Sequence, residues 1–159
     1  MKQTRYFAIA MLLAVIVTAC KPEKDGLDGT WLWASTSGGL AGVSYTPESE
    51  GFDAQFVFKD GRFSFYKDGK KVASGSYQTV CDIDETIYTN PDNGDGVYHV
   101  WFSLHIPEAQ CRKITEATNG IIAPHPSSVA TIGHSEAAGR TLSLCDNCYD
   151  GFCLYFVEK

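Results

Sequence analysis

The chain has 159 residues, 44% hydrophobic and 20% charged, with 13 Lys and Arg against 19 Asp and Glu for a formal net charge of −6. These values describe an ordinary globular chain with the length of one domain, and they exclude a disordered or fibrous one. An acidic balance with no basic stripe also argues against a nucleic-acid partner, because nothing is there to neutralise phosphates.

Residues 1–19 read as a signal peptide. Lys2 and Arg5 precede an apolar run over residues 6–17, which is too short to span a bilayer core. The run ends in Val17-Thr18-Ala19-Cys20, with small residues ahead of a cysteine. This resembles the bacterial lipobox, in which the peptide is cut before the cysteine and the cysteine is acylated. The resemblance implies a lipoprotein carrying three acyl chains, palmitate among them, on Cys20. One chain holds only marginally at about 0.8 kcal/mol per buried CH₂, so three make anchoring effectively permanent. Without residues 1–19 the balance is 11 basic against 19 acidic residues, a net of −8. Residues 20–26 are charged and contain Pro22 and Gly26, as a tether would. Lys21 after the acylated cysteine implies, by the same analogy, the outer membrane, with the domain facing the periplasm or the cell surface.

The folded domain is expected over residues 27–159, beginning with a strand at 27–35. Gly29 permits a tight entry, and Trp31 two residues on faces inward to plug one end of a barrel. Residues 37–53 read as a long loop, because Gly38, Gly39 and Gly42 suit neither strand nor helix. Residues 54–59 and 62–67 flank Asp60-Gly61, the strongest hairpin signal in the chain, since a type I′ turn needs positive φ at both positions. Phe56 and Phe58 share one face, as do Phe63 and Phe65. Asp68-Gly69 is a second such turn, leading into a strand over 70–80 with Ala73, Gly75, Tyr77 and Thr79 on one face. Consecutive hairpins of this kind make an up-and-down meander.

A weaker strand is expected over 81–89, and 90–96 is a turn cluster. Calcium-loop spacing fails there by one residue, and the twelfth position from Asp92 is Ser103 rather than Glu. Residues 97–106 alternate cleanly, with Tyr98, Val100, Phe102, Leu104 and Ile106 on one face and His99, Trp101, Ser103 and His105 on the other. A short helix or irregular crossing follows within 107–125, then a strand at 128–133 and a last hairpin from Arg140 to Val157.

Both ends of the domain carry a resemblance. Gly29-x-Trp31, Gly38-Gly39-x-x-Gly42 and Thr46-Pro47 open it; Leu142-x-Leu144, Asp146-x-Cys148-Tyr149-Asp150, Tyr155 and Val157 close it. In this arrangement the chain resembles the lipocalin-like, calycin-type bacterial lipoproteins. The resemblance implies an all-β, up-and-down antiparallel barrel of about eight strands, with the first and last strands paired. It also implies an Arg near the C-terminus capping the buried Trp; the residue at that place here is Lys159, a weaker cation–π partner.

The oxidising compartment beyond the inner membrane favours disulfides, and Cys81, Cys111, Cys145, Cys148 and Cys153 are the candidates. Cys145 and Cys153 flank the last turn. Cys81 with Cys111 would then pin the middle and leave Cys148, although spacing does not fix the connectivity. Cys145-x-x-Cys148 lacks the helix N-terminus of a redox site and the second ligand pair of a zinc site. No nucleophile elbow, phosphate loop or dinucleotide fingerprint is present. No cofactor, metal or catalytic residue is therefore expected. The leading expectation is a non-catalytic binder of a small apolar ligand at the barrel mouth, through Leu40, Tyr45, Phe56, Phe58, Phe63, Phe65 and Tyr77. The alternative is a protein-interaction or inhibitor module with a filled core, binding through loops at 90–96 and 107–128.

Overall fold

A computed structural model describes residues 26–39, 42–80, 86–89, 96–135, 139–146 and 151–159. Its strands are β1 (Gly29–Gly38), β2 (Val43–Tyr45), β3 (Ala54–Lys59), β4 (Arg62–Lys67), β5 (Lys70–Ser76), β6 (Gln78–Val80), β7 (Thr86–Thr89), β8 (Gly96–His105), β9 (Ser127–Ser135), β10 (Gly139–Cys145) and β11 (Phe152–Glu158). Among the described residues two helices join them, α1 (Pro47–Glu50) and α2 (Glu108–Ala117). All strands lie in one antiparallel sheet of order β5-β4-β3-β1-β11-β10-β9-β8-β6, with β2 beside β1 and β7 beside β8.

Turn chemistry builds the meander. Asp60 and Gly61 hold φ of 51° and 71°, and Asp68 and Gly69 hold 49° and 73°. These are the positive angles that a two-residue hairpin requires. The chain ends meet as expected: Trp31 faces Glu158, Trp33 faces Phe156 and Gly38 faces Phe152 across the β1–β11 ladder. A bulge between Trp33 and Ser35 re-aims β1 so that Thr36 also points inward, and it is buried. At Gly38 a Cβ would run into the Gly151 carbonyl and lie 2.8 Å from the Phe152 Cα, so the closing strands approach at a glycine.

Alternation then sorts the side chains. Trp31, Phe56, Phe58, Phe63, Phe65, Phe102, Leu104, Leu142, Leu144, Leu154 and Phe156 are all buried inside the cylinder. Trp101 and Tyr155 remain on the outer face at 42% and 41% exposure, so Trp101 meets solvent rather than a cavity.

Three details differ from the sequence-based expectation, the first being eleven strands among the described residues where about eight were expected. The predicted loop over 37–53 contains both β2 and α1. The predicted strand over 70–80 changes partners at Tyr77: β5 pairs β4, and β6 pairs β8. The sheet is therefore nearly closed into a barrel, with a seam beside β5. Helix α2 fills that seam in place of a strand. Its start lies by Gly75, where a Cβ would sit 3.8 Å from Gln110 Cγ. Its last carbonyl, on Ala117, accepts a hydrogen bond from Lys67 Nζ at 2.9 Å. Cys111 and Ile114 face the core from it.

Candidate functional site

The residues expected to line a lumen do come together, and they pack on one another. Phe56 sits 5.3 Å from Phe58, 6.1 Å from Phe63, 4.9 Å from Phe65 and 5.5 Å from Phe156, ring centroid to centroid. Phe58 meets Tyr77 edge-on at 5.2 Å. None of the four hairpin phenylalanines is more than 2% exposed. Such offset and edge-to-face contacts are the arrangement rings prefer in a solid core. Tyr77 is buried, and its hydroxyl donates to Asp28 Oδ1 at 3.4 Å. Tyr45 is half-buried on β2 and packs at the margin of the core. Leu40 lies outside the described residues, as do Cys20, Cys81, Cys148 and residues 90–95.

Trp31 and Trp33 are both buried on the inward side of β1. At one end Trp31 is fully buried, and its indole N–H donates to the Leu27 carbonyl at 2.8 Å. The cation over that ring is Arg140, 5.1 Å from the ring centroid, and not Lys159. Arg140 also holds Glu158 Oε1 at 2.6 Å and donates to the Gly26 carbonyl. Lys159 only donates its backbone N–H to the Thr30 carbonyl in this neighbourhood. Arg140 wins because β10 lies next to β11, so its guanidinium reaches both Glu158 and the indole face, whereas Lys159 follows the end of β11. Two residues on, Trp33 donates to Thr36 Oγ1 at 3.1 Å and stacks on Phe52 at 5.1 Å. Lys67 lies 4.5 Å over the Phe52 ring and ties the end of α2 to the sheet.

The disulfide framework is settled for two partners. Cys145 and Cys153 are bonded and lie opposite each other on β10 and β11. Cys111 does not pair with Cys81: it is a free thiol, buried, with its sulfur 3.7 Å from the Ile106 carbonyl. Its place on the inward face of α2, among core side chains, keeps it from a surface partner. Burial pushes this thiol up to about 11, so at neutral pH it is protonated and a poor nucleophile.

The roomiest described cavity lies outside the barrel. It is a groove of about 620 Å³ between α1 and the outer face of β1, β3, β4 and β11. Leu32, Ala34 and Val157 give it an apolar floor, with Gln55 and Tyr66 beside them. Pro47 and Glu48 of α1 form its wall. The wall is fixed by a capping box, in which Thr46 and Ser49 exchange side-chain and backbone bonds at 3.2 and 2.9 Å. Hydrogen bonds from its own backbone amide and from Thr46 lower the Glu48 carboxyl below its ordinary value.

No family model, curated protein or solved structure matches this chain. The site is thus read from its own geometry. A cavity of this size falls within the range of small-molecule sites, roughly 300–1,000 Å³. Its floor suits an apolar ligand, and its polar wall would orient one. Sequence reasoning missed the groove because α1 was hidden in the predicted loop. The signal was present: Thr46-Pro47-x-Ser49 reads as a helix cap with Pro in the first turn.

Proposed function

We propose that this chain is a non-catalytic, lipocalin-like binding protein that takes a small apolar ligand on the outside of a filled barrel. The observation that carries the reading is the pairing of a solid aromatic interior with the outer groove under α1. Leu32, Ala34 and Val157 would receive the apolar body, while Gln55 and Glu48 would meet its polar end. An acyl anchor on Cys20 is part of the same proposal. The seven residues from Cys20 to Gly26 reach at most about 25 Å, so the Trp31 end would stand next to an outer-membrane surface.

The test is titration with N-phenyl-1-naphthylamine, a neutral apolar fluorophore. Leu32→Glu should weaken binding at least about tenfold, because a carboxylate would face the ligand's apolar body. Phe63→Leu, in the core, should leave it unchanged. Binding that survives Leu32→Glu but shifts with Phe63→Leu would move the ligand into the lumen and overturn the proposal. A second reading, a protein-interaction module, draws on the filled core and on the exposed Trp101 and Tyr155. Loss of a purified partner in a Trp101→Ser variant that still binds the fluorophore would favour it.

A further inference from the structure

A second cavity, of about 320 Å³, lies on the outer face of β3, β4 and β5 and is lined by cations. The cross-strand rows define it. Lys59 faces Arg62; one row on, Val57, Ser64 and Ser74 lie abreast; beyond them Lys71 faces Tyr66. Successive rows on one face are about 6.7 Å apart, so the three long basic side chains reach the Ser64–Ser74 floor from opposite ends.

The charge here runs against the rest of the molecule. Residues 59–71 hold five cations, Lys59, Arg62, Lys67, Lys70 and Lys71, against Asp60 and Asp68, in a chain of net charge −6. Among the described residues, Lys59, Arg62 and Lys71 form no ion pair; the ion pairs found there are Arg112–Glu108 and Arg140–Glu158. Lys71 lies 5.6 Å over the Tyr66 ring, which holds its ammonium at the edge of the cavity. Asp60 is the one carboxylate in the lining, and its turn is held by a bond from its N–H to Asp28. Three cations and one carboxylate leave a net of +2 around two hydroxyl donors. Lys59 and Arg62 lie side by side across the β3–β4 ladder and repel one another, and a bound dianion would relieve that repulsion. Three cations are too few and too local for a nucleic-acid backbone, but they match a compact group with two or more negative charges.

We propose that Lys59, Arg62 and Lys71, with the hydroxyls of Ser64 and Ser74, form a binding site for a diphosphate-type anion. The guanidinium of Arg62 takes phosphate oxygens in a fork, Lys59 and Lys71 act as point charges from the two ends, and the serines donate from the floor. The site is separate from the α1 groove and stands whether or not that groove binds an apolar ligand.

The test is titration of the full chain with sodium pyrophosphate, followed by calorimetry and by amide NMR shifts. Saturable binding is expected, with shifts concentrated at Ser64 and Ser74. Arg62→Gln and Lys71→Gln should each weaken it about tenfold, the loss of one charge-assisted contact. Raising salt from about 50 to 150 mM should weaken it further, because exposed charges are screened over about 8 Å. Leu32→Glu should leave it unchanged. These side chains are exposed, so the variants fold, and circular dichroism checks this. Vesicles of phosphatidylcholine with phosphatidic acid, competed with pyrophosphate, distinguish a membrane-borne phosphate from a soluble one; competition in either direction supports the site. No saturable pyrophosphate binding at low salt, or binding unchanged in the Lys59→Gln/Arg62→Gln/Lys71→Gln variant, would overturn it.

Discussion

Arg140 joins three elements at one end of the barrel, and its removal gives a worked test of how that end is held. Arg140→Met removes the guanidinium 5.1 Å from the Trp31 ring, the ion pair to Glu158 and the bond to the Gly26 carbonyl. The cation–π contact contributes about 1 kcal/mol at a half-buried site. The charged bond to Gly26 contributes about 1.5 kcal/mol. The Glu158 pair adds about 0.5 kcal/mol, kept small because its side chains are 28% and 30% exposed and partly screened. The expected loss is about 3 kcal/mol, or roughly 10 °C in Tm for a domain of this length. Urea unfolding followed by tryptophan fluorescence measures it, with Lys159→Met as the comparison. That variant should cost under about 0.5 kcal/mol, as for a typical surface position. Arg140→Lys should recover about half the loss, because an ammonium keeps the charge but not the planar fork. An Arg140→Met loss below about 1 kcal/mol, or an equal loss from Lys159→Met, would refute the reasoning.

Two further predictions concern the cysteines. The Cys111 thiol ionises near 9.0 when free and near 11 when folded, so the native state gains nothing from this group below pH 9 and loses stability between pH 9 and 11. The loss should approach about 2 kcal/mol and be missing from Cys111→Ala, so the difference between the two urea midpoints against pH isolates it. Cys145→Ser/Cys153→Ser reopens a short loop whose closure contributes about 2.5 kcal/mol by chain entropy, and thermal unfolding under non-reducing conditions should register that loss. An unchanged Tm in the double variant would place the stabilising link elsewhere.

Where local rules govern, the sequence was legible. Asp60-Gly61 and Asp68-Gly69 announced their turns because few other residue pairs tolerate positive φ twice in succession. The inward faces of β3, β4 and β8 followed from alternation, and the pairing of β1 with β11 from the match of the two chain ends to one pattern. What escaped depends on long-range neighbours. Arg140 covers Trp31 because β10 lies beside β11, a relation that no local pattern encodes. The change of partner at Tyr77 follows Ser74-Gly75-Ser76, whose weak strand preference does not by itself say which strand comes next. The apolar groove needed α1 as its wall, and the basic shelf needed β3, β4 and β5 laid side by side before Lys59, Arg62 and Lys71 became neighbours.

The helix that replaces a strand beside β5 also bears on solubility. A sheet that stops short of closure leaves a strand whose free backbone groups can template a neighbouring chain. Here α2 lies over that border, while the β5 bulge and the exposed Lys70 roughen what it leaves uncovered. The ten residues of α2 thus share with the bulge and the lysines of β5 the task of keeping a second chain from adding to this border.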